Sequence, residues 1–243
     1  MKVLGVIPAR YGSSRFPGKP LVDLKGKTMI QRVYEGASAS QRITDLVVAT
    51  DDERIADKVR EFGGKVVMTD PLHPSGTDRC AEVLKRFPFA DVVINIQGDE
   101  PLVDARQIDS LLAAFENDDV NIATLGIREV SMEDLNNTNR IKIVIDSNQQ
   151  ALYFSRSCLP NYANSTGDPL SHYPYLRHIG LYAYRAEVLE AISVLKPTAL
   201  ERIESLEQLR WLYYGYKINI VETDIETPNI DVPEDITKVI DLL

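Results

Sequence analysis

The sequence predicts an α/β fold: a mostly parallel sheet with helices on both faces. Three observations carry that reading. The first half alternates short apolar runs with amphipathic stretches, the rhythm of successive βαβ units. The runs Val3 to Ile7, Leu46 to Thr50 and Val92 to Ile96 are apolar at successive rather than alternate positions, the pattern of strands buried on both faces. Helix signals sit between them: Asp51 or Asp52 caps a helix through Phe62, and Gly63-Gly64 stops it.

In order, the first half reads as a strand at Val3 to Ile7, a helix at Met29 to Ala39 and a strand at Leu46 to Thr50. The capped helix, a short strand at Lys65 to Met68 and a helix at Asp78 to Phe87 follow. A strand at Val92 to Ile96 and a helix at Arg106 to Phe115 complete it. The second half is richer in strands: Ile122 to Ile127, Ile141 to Asp146, Gln150 to Phe154 and Ile179 to Tyr184. Ser147-Asn148 makes a hairpin-like turn. Glu201 to Tyr214 reads as one amphipathic helix, Lys217 to Glu222 as a strand, and Pro233 to Leu243 as a closing helix with proline in its first turn. The polar loop Asn161 to Tyr175 receives no role. No linker, repeat or low-complexity tract divides the chain, so one domain spans 1–243, with residues about 121–190 forming a smaller lobe.

The chain has 243 residues, 44% hydrophobic and 26% charged, with a net charge of -9. That charge repels nucleic acid and anionic membranes, so neither is an expected partner. It also repels a triphosphate, so a phosphate site must be a local basic patch. Cys80 and Cys158 form no CxxC pair, and the three histidines show no HExxH spacing. No apolar run approaches the roughly 18 residues of a membrane span. The N-terminal strand is broken too soon, at Pro8, for a secretory leader. The expected location is the cytoplasm.

The basic patch is Pro8-Ala9-Arg10-Tyr11-Gly12-Ser13-Ser14-Arg15-Phe16-Pro17-Gly18-Lys19-Pro20, directly after the first strand. Ligands of α/β sheets bind beyond the carboxyl ends of strands. Glycines let the backbone approach a ligand, while Arg10, Arg15 and Lys19 supply the charge that a triphosphate needs. The run is neither a Walker A loop nor GxGxxG, and its plain alternative is a solvated basic turn. At the end of the fourth strand, Gln97-Gly98-Asp99-Glu100 places a carboxylate where Mg²⁺ could join it to phosphate oxygens; a capped loop is the alternative. Asp231 is a second candidate ligand, although Asp231-Val232-Pro233-Glu234 is also an ordinary helix start. In His73-Pro74-Ser75-Gly76-Thr77-Asp78-Arg79, Ser75 or Thr77 either caps a helix or touches ribose or phosphate. Arg156 and His178 can hold a carboxylate, and Glu207 and Gln208 can read sugar hydroxyls. Against these stand a salt bridge, a core imidazole and a solvated helix face.

The runs IPARYGSSRFPGKPL, VATDD, FGGKVVMT, HPSGTDR, NIQGDEPL, IKIV, ALYFSRS, LRHIGLYAY and SLEQLR, in that order, resemble the CMP-Kdo synthetases. These are 3-deoxy-manno-octulosonate (Kdo) cytidylyltransferases. The resemblance covers nearly the whole chain. It implies a three-layer sandwich with a Rossmann-like nucleotidyltransferase sheet, a small dimerisation and acceptor lobe, and a homodimer. It also implies transfer of CMP from CTP to Kdo, with release of pyrophosphate, for lipopolysaccharide biosynthesis. By the same resemblance Arg10 and Lys19 bind triphosphate with help from Arg15, and Ser75, Arg79 and Gln97 contact the cytidine part. Asp99 and Asp231 match magnesium ligands, and Lys142 lies near the phosphates. Arg156, His178, Tyr182, Glu207 and Gln208 match positions around the sugar acid. Val232 stands where relatives carry threonine. Readings left open are a cytidylyltransferase for 8-amino-Kdo or another acidic sugar, and a non-catalytic nucleotide-sugar binding protein.

Overall fold

A computed structural model describes the chain except for residues 13–15, 129 and 164–165. In chain order the described elements are β1 (Val3–Ala9), β2 (Asp23–Leu24), β3 (Lys27–Thr28), α1 (Met29–Ser38), β4 (Asp45–Thr50), α2 (Glu53–Glu61), β5 (Val66–Met68), α3 (Gly76–Leu84), β6 (Val92–Asn95) and α4 (Ala105–Ala113). They continue with β7 (Ile122–Ile127), α5 (Met132–Asn136), β8 (Lys142–Ile145), β9 (Ala151–Ser155), β10 (Leu176–Arg185), α6 (Ala186–Ser193), α7 (Ala199–Glu204), α8 (Gln208–Tyr213), β11 (Ile218–Glu222) and α9 (Asp235–Ile240). Every strand and helix expected in the first half is present, within a few residues of its expected bounds.

The chain forms two compact units. The first comprises Met1–Leu112, Ala183–Ser193 and Thr227–Leu243; the second comprises Ala113–Tyr182 and Val194–Glu226. The second unit is therefore wider than the expected 121–190 lobe, because residues 194–226 return to it.

In the first unit β6, β1, β4 and β5 lie side by side and parallel. Val6, Ile7, Val48, Ala49, Val93 and Ile94 are fully buried, which explains their continuous apolar patterning. Helices α1, α2 and α3 pack on these strands. Asp52 caps α2 by accepting the Arg54 N–H at 2.9 Å, and Gly63, at φ 80, ends it. A second cluster buries Leu24, Met29, Ile230 and Val239. It pins the C-terminal segment beneath the loop that follows β1.

In the second unit β11 pairs in parallel with β7, while β8 runs antiparallel to β9 and to the start of β10. The expected helix Glu201 to Tyr214 is two helices. Ser205 takes the left-handed conformation, φ 53 and ψ 49, between α7 and α8. The break is held from both sides. Leu206 is buried, and Glu201 reaches across to Arg210 with contacts of 2.8 and 2.5 Å. The expected closing helix also shortens to Asp235–Ile240, because the Asp235 carboxylate turns back to accept the N–H groups of Asp231 and Val232. No described helix is long and apolar enough to cross a membrane.

Candidate active site

Strand ends of the first unit build the site. β1 delivers Pro8, Ala9 and Arg10 past its carboxyl end, and the end of β6 leads into Gln97, Gly98 and Asp99. A Cβ at position 98 would lie 2.6 Å from the Pro8 carbonyl oxygen, so glycine is what lets the two loops touch. Gly18, at φ 73, donates its N–H to Tyr11 O at 2.9 Å and starts a tight turn over Lys19–Leu21. A cavity of about 250 Å³ results, lined by Arg10, Lys19, His73, Ser75, Arg79, Gln97 and Asp99 among others. The structure thus brings together six residues that the sequence singles out from three separate segments. Arg15 lies outside the described residues.

Lys19 is the hub. Its ammonium donates to Asp99 Oδ2 at 2.7 Å and to the Ile230 carbonyl at 2.8 Å, and it stands 4.0 Å from Asp231 Oδ1. Two carboxylates from distant parts of the chain therefore converge on one positive charge. Among the described residues, no group of three or more His, Cys, Asp or Glu side chains is arranged to hold a metal alone. Two hard oxygen donors gathered around Lys19, one of them lining the cavity, do fit Mg²⁺, which commonly takes one or two carboxylates and completes its shell with phosphate oxygens and water. Next to Asp99, the buried Glu100 carboxyl is pushed up to about 8 by desolvation and by the Asp99 charge. A hydrogen bond from Thr227 Oγ1, at 3.1 Å, opposes that shift.

Ser75 caps α3. It accepts the Asp78 N–H at 3.2 Å and donates to Asp78 Oδ2 at 2.6 Å. Ser75 and Gly76 line the cavity, so the positive end of the helix dipole lies beside it. Arg79 is buried and clasped by Thr69 Oγ1 and by Asp51 Oδ2, the latter at 3.4 Å. His73 bonds Glu82 Oε2 at 2.5 Å. Sequence reading named neither Glu82 nor Asp51 as supports. Spacing alone does not show that a helix residue and a loop carboxylate bond to two residues of the cavity wall.

The second unit holds the other candidates, in a different chemical state. The Thr124 hydroxyl gives its proton to the carbonyl of Leu181 at 2.8 Å or Ile179 at 3.2 Å. It must then accept from His178 Nε2, 3.0 Å away. That leaves His178 Nδ1 as an acceptor. Desolvation, aided by the Arg177 charge, holds the imidazole down at about 3, so the ring is neutral at physiological pH. It packs against Phe154 and Tyr182, with centroids at 5.2 and 5.3 Å, and Tyr182 stands edge-on to Trp211. Burial pushes the Tyr182 phenol well above its ordinary range. A neutral ring with an acceptor Nδ1 suits a hydroxyl, whereas the carboxylate contact expected of His178 would need a proton on that nitrogen.

Lys142 and Arg156, two further expected site residues, both bond to main-chain carbonyls. Lys142 is fully buried, and its ammonium donates to the carbonyls of Arg140, Arg156 and Asn137 at 2.6, 2.7 and 3.0 Å. All three of its protons are engaged by main-chain oxygens. Arg156 donates to the carbonyls of Glu204, Thr138 and Ser205 at 2.7, 3.0 and 3.4 Å. This is the bracing alternative to a carboxylate contact. Glu207 precedes α8 with its carboxylate 3.9 Å from Arg210, and Gln208 is buried in the first turn of α8.

The family model described as cytidylyltransferase matches residues 4–218. A 3-deoxy-manno-octulosonate cytidylyltransferase of Cytophaga hutchinsonii is 49% identical over 98% of this chain and 96% of its own length. An 8-amino-3,8-dideoxy-manno-octulosonate cytidylyltransferase of Shewanella frigidimarina is 47% identical over 98% of this chain and 97% of its own length. Among solved structures, a CMP:2-keto-3-deoxy-manno-octonic acid synthetase complexed with CTP superposes with a TM-score of 0.94 at 43% identity, covering 100% of this chain and 98% of that one. With the basic loop, the Gln97-Gly98-Asp99 turn and the matched residues in agreement, the chain belongs to the cytidylyltransferase family.

Proposed function

We propose that this chain transfers CMP from CTP to Kdo and releases pyrophosphate. The observation that carries the reading is the convergence of Lys19, Asp99 and Asp231 beside a cavity at the carboxyl ends of β1 and β6. Arg10 and Lys19 neutralise the triphosphate, with Arg15 assigned beside them by resemblance. The α3 start, with Ser75, Arg79 and Gln97, takes the cytidine part. Asp99 and Asp231 would hold Mg²⁺, whose charge, when bound, offsets that of the phosphate oxygens. For Lys19 this means a change of partner: its ammonium leaves the carboxylates for a phosphate. Nucleotidyl transfer asks the protein mainly for in-line positioning and charge neutralisation, and these side chains supply both.

The acceptor is assigned to the second unit. His178 Nδ1, Gln208 and Glu207 offer hydrogen-bonding groups suited to sugar hydroxyls, and Tyr182 and Phe154 give His178 its apolar wall. Arg156 remains the candidate for the Kdo carboxylate only if it can release its carbonyl partners. The reading includes a cytoplasmic homodimer feeding lipopolysaccharide synthesis. Exposed Leu152, Ile203 and Tyr213 give the second unit apolar surface for a second copy to cover. The 47% identity to an 8-amino-Kdo enzyme makes that sugar the specific second reading.

Pyrophosphate release with CTP and Mg²⁺, run in parallel with Kdo and with 8-amino-Kdo, tests the proposal. Release with Kdo at the higher kcat/KM is the expected result. Release only with the amino sugar transfers the assignment to it. Nucleotide binding without release from either sugar leaves the non-catalytic reading standing.

A further inference from the structure

Asp231 lies on a stretch, Thr223 to Pro233, that contains no helix and no strand. A carboxylate that must face Asp99 within a few ångströms needs its backbone held by something else. Three kinds of bond hold it. Ile230 N donates to Asp99 O at 2.9 Å, and Ile230 O accepts from Lys19 at 2.8 Å. Thr227 Oγ1 donates to Glu100 Oε2 at 3.1 Å. Asp235 Oδ2 accepts the N–H groups of Asp231 and Val232 at 3.0 and 3.2 Å. The dipeptide Asp99-Glu100 thus grips the segment twice, by a main-chain carbonyl and by a side chain, while carrying the opposing carboxylate itself. Val232, where a threonine hydroxyl was expected, has no oxygen to give its surroundings; Asp235 provides one to the same backbone.

Resting on the reading of Asp99 and Asp231 as the magnesium ligands, we infer that Glu100, Thr227 and Asp235 are positioning residues that fix Asp231 opposite Asp99. Glu100 touches no substrate in this account. Its oxygen serves as an acceptor buried where water cannot replace it, which is why a carboxyl group can be kept in a desolvated place. Ile230 is the competing anchor: its side chain is fully buried beside Leu24, Met29 and Val239 and holds the segment by packing alone. The two accounts differ in what Thr227→Val should do. That change keeps the shape and deletes only the hydroxyl.

The test uses the full chain with CTP present and follows the Mg²⁺ concentration at half-effect in two ways: pyrophosphate release, and the metal-dependent rise in melting temperature. Loss of an outer-shell partner typically weakens metal affinity by about tenfold or more. Thr227→Val and Glu100→Ala are expected to raise both half-effect concentrations by about that factor, with the KM for Kdo unchanged. Glu100→Gln keeps an acceptor oxygen and should restore most of the loss, as should Asp235→Asn relative to Asp235→Ala. Asp99→Asn is the control. If it shifts the metal half-effect while folded Thr227→Val does not, packing of Ile230 positions Asp231 and the inference is overturned. If Asp99→Asn itself leaves the metal half-effect unmoved, the ligand reading falls first. Should Glu100→Ala fail to fold, Thr227→Val decides alone.

Discussion

Lys19 and Lys142 are both engaged lysines, and the two units treat them oppositely. In the first unit, the Lys19 ammonium sits on carboxylates at the edge of a cavity, with partners that another cation can replace. In the second, the ammonium of the buried Lys142 is held among three carbonyl oxygens. The same contrast separates Arg10, exposed at the cavity, from Arg156, laced to three carbonyls. The cationic side chains at the end of β1 line the cavity, while Lys142 and Arg156 fold back onto main-chain carbonyls. Residue type does not distinguish the two roles, and the partner atom does.

The largest expected effect that could break this contrast is on stability. Lys142→Met should destabilise the chain by about 4 kcal/mol, because it removes a charged donor from three carbonyls. Chemical denaturation measures it. A stable variant with weakened CTP binding would return Lys142 to the phosphates. Asp99→Asn should leave folding intact and reduce turnover about a hundredfold, roughly 3 kcal/mol of lost charge stabilisation. Near-parental turnover by a folded variant would remove Asp99 from the site.

Arg156→Ala comes next, with an expected loss of roughly 2 kcal/mol of stability from charged hydrogen bonds to carbonyls. Melting temperature and both KM values sharpen the comparison. A variant of unchanged stability whose KM for Kdo alone rises would place Arg156 with the substrate-facing cations. The smallest effect concerns pH. His178 falls from its ordinary 6.5 to about 3 in the folded chain. Its contribution to stability is therefore complete above pH 6.5 and is lost as pH drops toward 3, since the unfolded chain binds the proton first. Between pH 7 and pH 5 this should amount to about 1 kcal/mol, given a partly accessible ring. His178→Asn should flatten that part of the stability profile; an unchanged slope would mean the ring is solvated and protonates freely.

Local signals were readable from sequence alone. The unbroken apolar run of β1, a cap at Asp51 or Asp52 and the stop at Gly63-Gly64 depend on neighbours a few residues away. The basic loop after β1 was readable for the same reason, since strand end, glycines and cations are contiguous. The break at Ser205 was not. Glu201 to Tyr214 contains no proline or glycine, and what folds it is an ion pair with Arg210 together with the burial of Leu206. Likewise, His178 in a strand gave no hint that Thr124, 54 residues earlier, takes its N–H.

By itself the sequence determined the alternation of the main strands and helices in the first half, the strand ends at which the candidate binding residues emerge, and which side chains carry charge. Those follow from periodicity, caps and covalent neighbours, all short in range. Tertiary structure alone decided what each charge faces. Thr227 reaches Glu100 across 127 residues of chain, and Lys19 reaches Ile230 across 211. A hydrogen bond is directional and only a few ångströms long, so its partner is set by where the folded backbone brings an oxygen, whatever the separation along the chain.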